Sequence, residues 1–157
     1  MPPGDVPVAE LAACVEWAAL GFEVVDSHLP GWRMSAAEAV ADFGVHAALV
    51  VGAPWQVGAS DPRAVAAALE EVRVTFYRGE EVFAEGVGRN ALGSPLLALG
   101  FLAKVIASQP WAAPLAAGEI VTTGTLTPLP DLRPGERWRV VASGAPLPAL
   151  ELETGPG

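Results

Sequence analysis

Apolar and polar positions fall in short blocks along the chain, and the period of the pattern changes several times. Over residues 8–20, Leu11, Val15, Ala18 and Ala19 recur at helical spacing with Glu10 and Glu16 elsewhere on the wheel, so the spacing predicts a helix ended by Gly21. Residues 21–29 switch to period two, with Phe22 and Val24 on one face of a strand and Glu23 and Val25 on the other. After the break at Pro30-Gly31, Ser35 stands three residues before Glu38. That capping-box spacing predicts a short helix through Phe43. The continuous apolar run AALVVG at 47–52 predicts a buried strand. Residues 54–63 read as loop, and 64–71 fit either a short helix or an irregular approach to the next strand. Residues 72–78 and 81–85 predict a hairpin around Gly79, followed by an irregular Gly-rich stretch over 86–93.

Ser94 and Pro95 open the best-marked helix, which runs to about Ser108. Its sequence PLLALGFLAKVIAS is apolar nearly all round and predicts burial on more than one side. A Thr-rich strand is predicted over 119–127 and a Pro-rich connection over 128–134. Final strands are predicted at 138–143 and 149–153, and residues 1–7 form a Pro-rich lead. Hairpins and Pro/Gly turns dominate. The order predicts a single α+β domain over 1–157, with a curved, mostly antiparallel sheet and a few short helices.

Composition narrows the class. The 157 residues suffice for one domain with a real core, and 52% hydrophobic against 17% charged residues marks a globular chain. A net charge of −9 argues against nucleic acid or an anionic membrane as partner. A single cysteine, Cys14, cannot form an internal disulfide and points to a reducing, cytoplasmic setting. The start of the chain lacks the features of a signal peptide, and the most apolar stretch, 96–106, is shorter than a membrane span.

Among residues that could carry chemistry, Glu23 stands first. A carboxylate among apolar neighbours on a strand needs a cation, a donor or a metal; Arg33, Lys104 and solvent are the alternatives to a functional partner. Glu151 and Glu153 form an E-x-E, readable as a divalent-cation pair or as a solvated strand face, and their position at the chain's end favours the latter. His28 and His46 have no metal-motif neighbours, and the serines lack a G-x-S-x-G context. Gly86-Val87-Gly88 lacks the third glycine of a dinucleotide fingerprint. Thr122 to Thr125 places three hydroxyls around Gly124, a candidate cradle for a carboxylate ligand or plain β-propensity.

Several stretches, in order over most of the chain, carry a resemblance: FEVVDS at 22–27 with Trp32, VAD at 40–42 and VVGAP at 50–54. Further on come ALGSPLLALGFLAKVIAS at 91–108, LAAGEIVTTGTLT at 115–127 and RPGERWRV at 133–140. Together they resemble the C-terminal half of the 2-keto-4-pentenoate hydratase group of the fumarylacetoacetate hydrolase superfamily. The resemblance implies a mixed β-roll and a metal-dependent enzyme of aromatic-compound degradation, with Mg²⁺ or Mn²⁺ gripping a small 2-oxo acid and stabilising its enolate. Glu23 matches the last of three metal-binding carboxylates, Asp42 falls in the substrate-proximal VAD stretch, and Thr125 matches the substrate-proximal TGT turn; no catalytic residue is carried over.

The departures shape the expectation. The family's E-x-E pair lies well before the Glu23 position, and residues 1–22 hold none. His28 stands where relatives usually have arginine, and Phe43 and Val45 stand where polar residues follow VAD. The resemblance therefore implies a hydratase-type lyase, with decarboxylation as a neighbouring chemistry, that draws metal ligands from a partner chain or from a longer protein. A non-catalytic structural or regulatory relative, or a 2-oxo acid binding module, is the alternative. Half a fold with this apolar content also predicts a homo-oligomer or a partner chain.

Overall fold

A computed structural model describes residues 6–156. Most of the Pro-rich lead therefore lies outside the described residues. The chain folds as an α+β structure of short elements with antiparallel pairing throughout its sheets.

Helix α1 (Val8–Ala12) is shorter than the periodicity over 8–20 predicts. Beyond it Cys14 and Val15 close turns onto Leu11 and Ala12, and Trp17 and Ala18 become strand β1 (Trp17–Ala18). This strand pairs antiparallel with β4 (Trp55–Gln56), inside the stretch read as loop. The carbonyl of Glu16 accepts from the amides of Val57 and Gly58, so tertiary pairing overrides local helical spacing. Strand β2 (Gly21–Val25) ends before the predicted Leu29 and pairs antiparallel with β3 (His46–Val51), with a bulge at Val24/Val25.

Between them lies α2 (Ala36–Ala41), opened by the capping box that the Ser35/Glu38 spacing predicts: the Glu38 amide donates to Ser35 Oγ, and the Ser35 amide donates back to the Glu38 carboxylate. Helix α3 (Pro62–Glu71) resolves the ambiguous stretch in favour of a helix, started by Asp61, whose carboxylate accepts from the Arg63 amide. The predicted hairpin forms β5 (Arg73–Arg78) and β6 (Glu81–Val87). With β7 (Arg137–Ser143) and β8 (Leu150–Glu153) these make a four-stranded antiparallel sheet in the order β6-β5-β7-β8.

Two apolar clusters hold the fold. Leu20, Val74, Phe76, Trp138, Val140 and Leu147 form one on the four-stranded sheet. Leu11, Val57, Val65, Leu69 and Leu96 form the other between α1, α3 and α4 (Pro95–Ala107). Ala18 and Trp55, from the small β1–β4 pair, pack against both and join them. Phe22 of β2 lies 5.6 Å from Phe76, which docks β2 on the sheet core by one face and turns Glu23 the other way.

Three expectations fail for one reason, a shortage of covering layers among the described residues. The apolar strand β3 is not buried: His46, Ala47, Ala48 and Val51 are exposed, since β2 and β3 form a two-stranded sheet only. Helix α4 begins at Ser94/Pro95 as predicted, but Leu96 and Ala103 are its only fully buried residues, and Phe101, Leu102 and Val105 face outward. The Thr-rich stretch 119–127 forms no strand among the described residues. Residues 88–107 reach a mean hydropathy of 1.5 over a span-length run, where no such stretch was expected. The helix itself occupies 13 of these residues because Leu92 and Gly93 take left-handed backbone ahead of it. At about 1.5 Å rise per residue it falls short of a hydrocarbon core of about 30 Å.

Candidate metal and substrate site

Glu23 sits in the middle of β2, opposite Leu49 of β3. Its carboxylate meets the Nδ1 of His46 at 2.9 Å on a diagonal across the strand pair, since His46 stands opposite Val25 beyond the bulge. The Glu23 side chain is 37% exposed, so the outward face of the β2–β3 pair presents a carboxylate–imidazole couple at the surface. The partner is a residue that local sequence reading set aside.

Asp42 occupies a tighter place. It ends α2, with its amide donating to the Glu38 carbonyl, and its side chain is only 11% exposed. The carboxylate accepts from the Ser27 hydroxyl at 3.4 Å and the His28 amide at 3.1 Å, and its other oxygen lies 2.5 Å from His28 Nδ1. Asp42 thus ties the end of α2 to the segment leaving β2. The turn that follows reinforces the tie, since the Val45 amide donates to the Asp42 carbonyl and the Asp26 amide to the Val45 carbonyl. Phe43, Gly44 and Val45 all take left-handed backbone in this turn, with φ of 52°, 67° and 58°. Such backbone is strained at the two non-glycine residues and is held by the surrounding hydrogen bonds.

Burial pushes the Asp42 carboxyl up, but hydrogen bonds from the His28 ring and amide, the charge of His28 and the Ser27 hydroxyl outweigh it. The carboxyl is held below its usual range. A depressed carboxylate contributes stability that is present above its unfolded-state value and is lost as pH falls through the folded-state value. The variant His28→Ala should therefore shift the acid-unfolding midpoint to higher pH, followed by circular dichroism. An unmoved midpoint would show that the tie carries no stability.

Thr125 uses its hydroxyl locally, donating to the Thr127 carbonyl at 2.6 Å and accepting from the Thr127 amide at 3.3 Å. The next residue is anchored: the Asn90 side-chain amide donates to the Leu126 carbonyl at 2.9 Å. Glu23 and Asp42 belong to one β2–α2–β3 unit, while Thr125 lies on a separate segment, and among the described residues no hydrogen bond joins it to either. The E-x-E at the chain's end reads as a solvated strand face: Glu153 pairs with the Arg137 guanidinium at 2.7 Å, and Glu151 stands opposite Arg139.

The comparisons with known proteins decide the family. Residues 2–151 match the family model described as fumarylacetoacetate (FAA) hydrolase, C-terminal. The chain belongs to this family. It is 37% identical over 136 residues to 2-keto-4-pentenoate hydratase 2 of Dechloromonas aromatica (strain RCB), covering 87% of this chain and 49% of that protein. It is 29% identical over 135 residues to 2-hydroxyhexa-2,4-dienoate hydratase of Comamonas testosteroni, covering 86% and 48%. The chain thus spans about half the length of the curated relatives it matches. Among solved structures it resembles the 4-oxalocrotonate decarboxylase from Pseudomonas putida G7 complexed with magnesium and adipate. The TM-score is 0.79 at 23% identity, over 94% of this chain and 52% of that one, so the two share a fold.

For the family member in hand, the donor set is the test of a metal. A hard dication takes about six oxygen ligands. The described residues offer the Glu23 carboxylate, already bonded to His46, and hold no group of three acidic, histidine or cysteine side chains suited to a metal. The described residues alone do not fit a complete cation site.

Proposed function

We propose that this chain is the C-terminal half-fold of a cytoplasmic hydro-lyase, one that adds water to a small 2-hydroxydienoic acid in aromatic-compound degradation and yields a 4-hydroxy-2-oxo acid. The observation that carries the reading is the likeness to hydratases across 87% of the chain. The outward presentation of Glu23 on β2, away from the core that Phe22 enters, is consistent with it. In this reading Glu23 is one ligand of a Mg²⁺ or Mn²⁺ ion, and Asp42 and Thr125 lie along the bound acid. The remaining oxygen ligands come from outside the described residues, supplied by a further part of a longer protein, by another copy or by a partner chain.

The test is turnover of 2-hydroxypenta-2,4-dienoate with Mg²⁺ or Mn²⁺, with and without a candidate partner chain. Metal-dependent turnover that falls at least about a hundredfold in Glu23→Gln supports the reading, the order seen when one group stabilising developing charge is lost. Turnover indifferent to Glu23 removes this residue from the site.

A second reading has an observation of its own. Both candidate carboxylates are engaged by histidines, Glu23 by His46 and Asp42 by His28. A non-catalytic relative, or a module that binds a 2-oxo acid, would keep such closed pairs. Calorimetry showing pyruvate or oxalate binding without turnover selects the binding module; no binding and no turnover selects the structural subunit.

A further inference from the structure

The two histidine–carboxylate pairs differ in which member is hidden. Glu23 and His46 are both half-buried, whereas Asp42 is sunk and His28 is 86% exposed. A buried carboxylate behind an open imidazole is the arrangement of an oriented base, not of a screened surface pair. Both oxygens of Asp42 are already engaged: one accepts from the Ser27 hydroxyl and the His28 amide, and the other faces His28 Nδ1. Ser27 Oγ in turn accepts from the Leu29 amide at 3.1 Å, which fixes the hydroxyl. The Asp42 carboxyl is held ionised, so Nδ1 carries the ring hydrogen and the neutral ring keeps its lone pair on Nε2. Among the described residues no hydrogen bond engages Nε2.

This pair sits at the same end of the β2–β3 unit as Glu23. Val25 stands opposite His46, the Asp26 amide donates to the Val45 carbonyl, and the Val45 amide donates to the Asp42 carbonyl. Strained backbone gathers there as well. Four non-glycine residues have positive φ among the described residues, and three of them, Trp32, Phe43 and Val45, follow His28 or Asp42 closely in the chain. Trp32 and Phe43 are exposed, so their strain does not serve the core. Strain of this kind collects where a site is held in one shape.

We propose that His28 carries the proton in the hydro-lyase site and that Asp42 is its positioning residue, reaching the bound acid only through the imidazole. The proposal rests on the hydration reading above and assigns its proton transfer. Once the 2-hydroxydienoic acid has passed to its 2-oxo-3-enoic tautomer, its hydroxyl proton having moved to C5, water adds across C3 and C4. Nε2 takes a proton from the water as the water oxygen bonds to C4 and the C3–C4 π pair shifts toward the oxo group. The imidazolium then returns that proton to C3. One O–H bond and one π bond break, one C–O and one C–H bond form, and His28 ends as it began.

Nitrogen-15 NMR of the neutral His28 ring, without metal or substrate, should find the hydrogen on Nδ1; hydrogen on Nε2 overturns the proposal. Turnover of 2-hydroxypenta-2,4-dienoate under the conditions above tests the role. His28→Gln keeps a donor for Asp42 but carries no proton, so kcat should fall at least about a hundredfold with KM little changed. The position is exposed, and circular dichroism should show the fold retained. Added imidazole should restore part of the rate lost in His28→Ala. Asp42→Asn should lower kcat at least about tenfold, again with KM held, whereas a raised KM with kcat intact makes Asp42 a direct substrate contact and overturns its positioning role. His28→Gln at the wild-type rate overturns the proposal and leaves the hydro-lyase reading standing. Deuterium exchange at C3 of 2-oxobutanoate, followed by NMR, needs proton transfer but no addition of water. Exchange that depends on His28 in a chain that does not hydrate keeps the proton carrier and removes the hydro-lyase reading; neither hydration nor exchange removes both.

Discussion

Trp138→Ala should lower stability by about 3–5 kcal/mol, as loss of a large buried aromatic does. Trp138 is wholly buried at the centre of the four-stranded sheet, with Phe76 at 4.9 Å and Phe83 at 5.4 Å between ring centroids. The Arg78 guanidinium lies 4.6 Å over its ring, and its indole N–H donates to the Glu136 carboxylate at 3.1 Å. Alanine would open a cavity among groups that cannot close on it, because Phe76 is itself held against Phe22. Domains of this size hold about 5–15 kcal/mol in all, so the variant should be partly unfolded at rest. Urea titration measures it, with the midpoint falling and Trp32→Ala, at an exposed position, barely moving it. A midpoint shared by the two variants would remove Trp138 from the core.

Gly88→Ala comes next, at about 3 kcal/mol, the upper end for overpacking. A Cβ at Gly88 would stand 1.9 Å from the Leu69 carbonyl oxygen and 2.8 Å from that of Glu70, both main-chain atoms at the end of α3. The Gly88 amide also donates to the Val72 carbonyl at 2.8 Å, so the chain cannot swing away without losing that bond. The end of β6 and the end of α3 approach so closely that only a hydrogen fits between them. Gly79 gives the contrast: its φ of +57° strains any side chain, yet nothing lies within 4 Å, so alanine there should cost about 1 kcal/mol. Thermal melts of the two variants should separate clearly, and equal losses would mean the close approach at Gly88 relaxes.

Much of the local structure was legible because its causes are local. Ser35 and Glu38 cap α2, Ser94 and Pro95 start α4, and Gly79 turns the β5–β6 hairpin, each through groups within a few residues of one another. The family was legible too, since it rests on strings of residues in order. Helix α1 was misjudged because helical spacing at Trp17 and Ala18 lost to pairing with Trp55 and Gln56, some forty residues away.

The site divides in the same way. Glu23, Asp42 and Thr125 are candidates by resemblance alone, and His46 as the partner of Glu23 depends on the β2–β3 register, including its bulge, which no local pattern encodes. His28 as the partner of Asp42 depends on a loop closing over fourteen residues. Burial was the least legible quantity. An apolar run announces a preference for cover, while the cover itself is supplied by whatever else is near in space, which is why β3 and α4 read as buried and stand partly bare. By itself, then, the sequence determined the caps, the turns, the alternation that sets Glu23 against Phe22, and the family. The tertiary structure alone decided which carboxylate meets which histidine and which apolar faces remain open, because both depend on contacts between segments far apart in the chain.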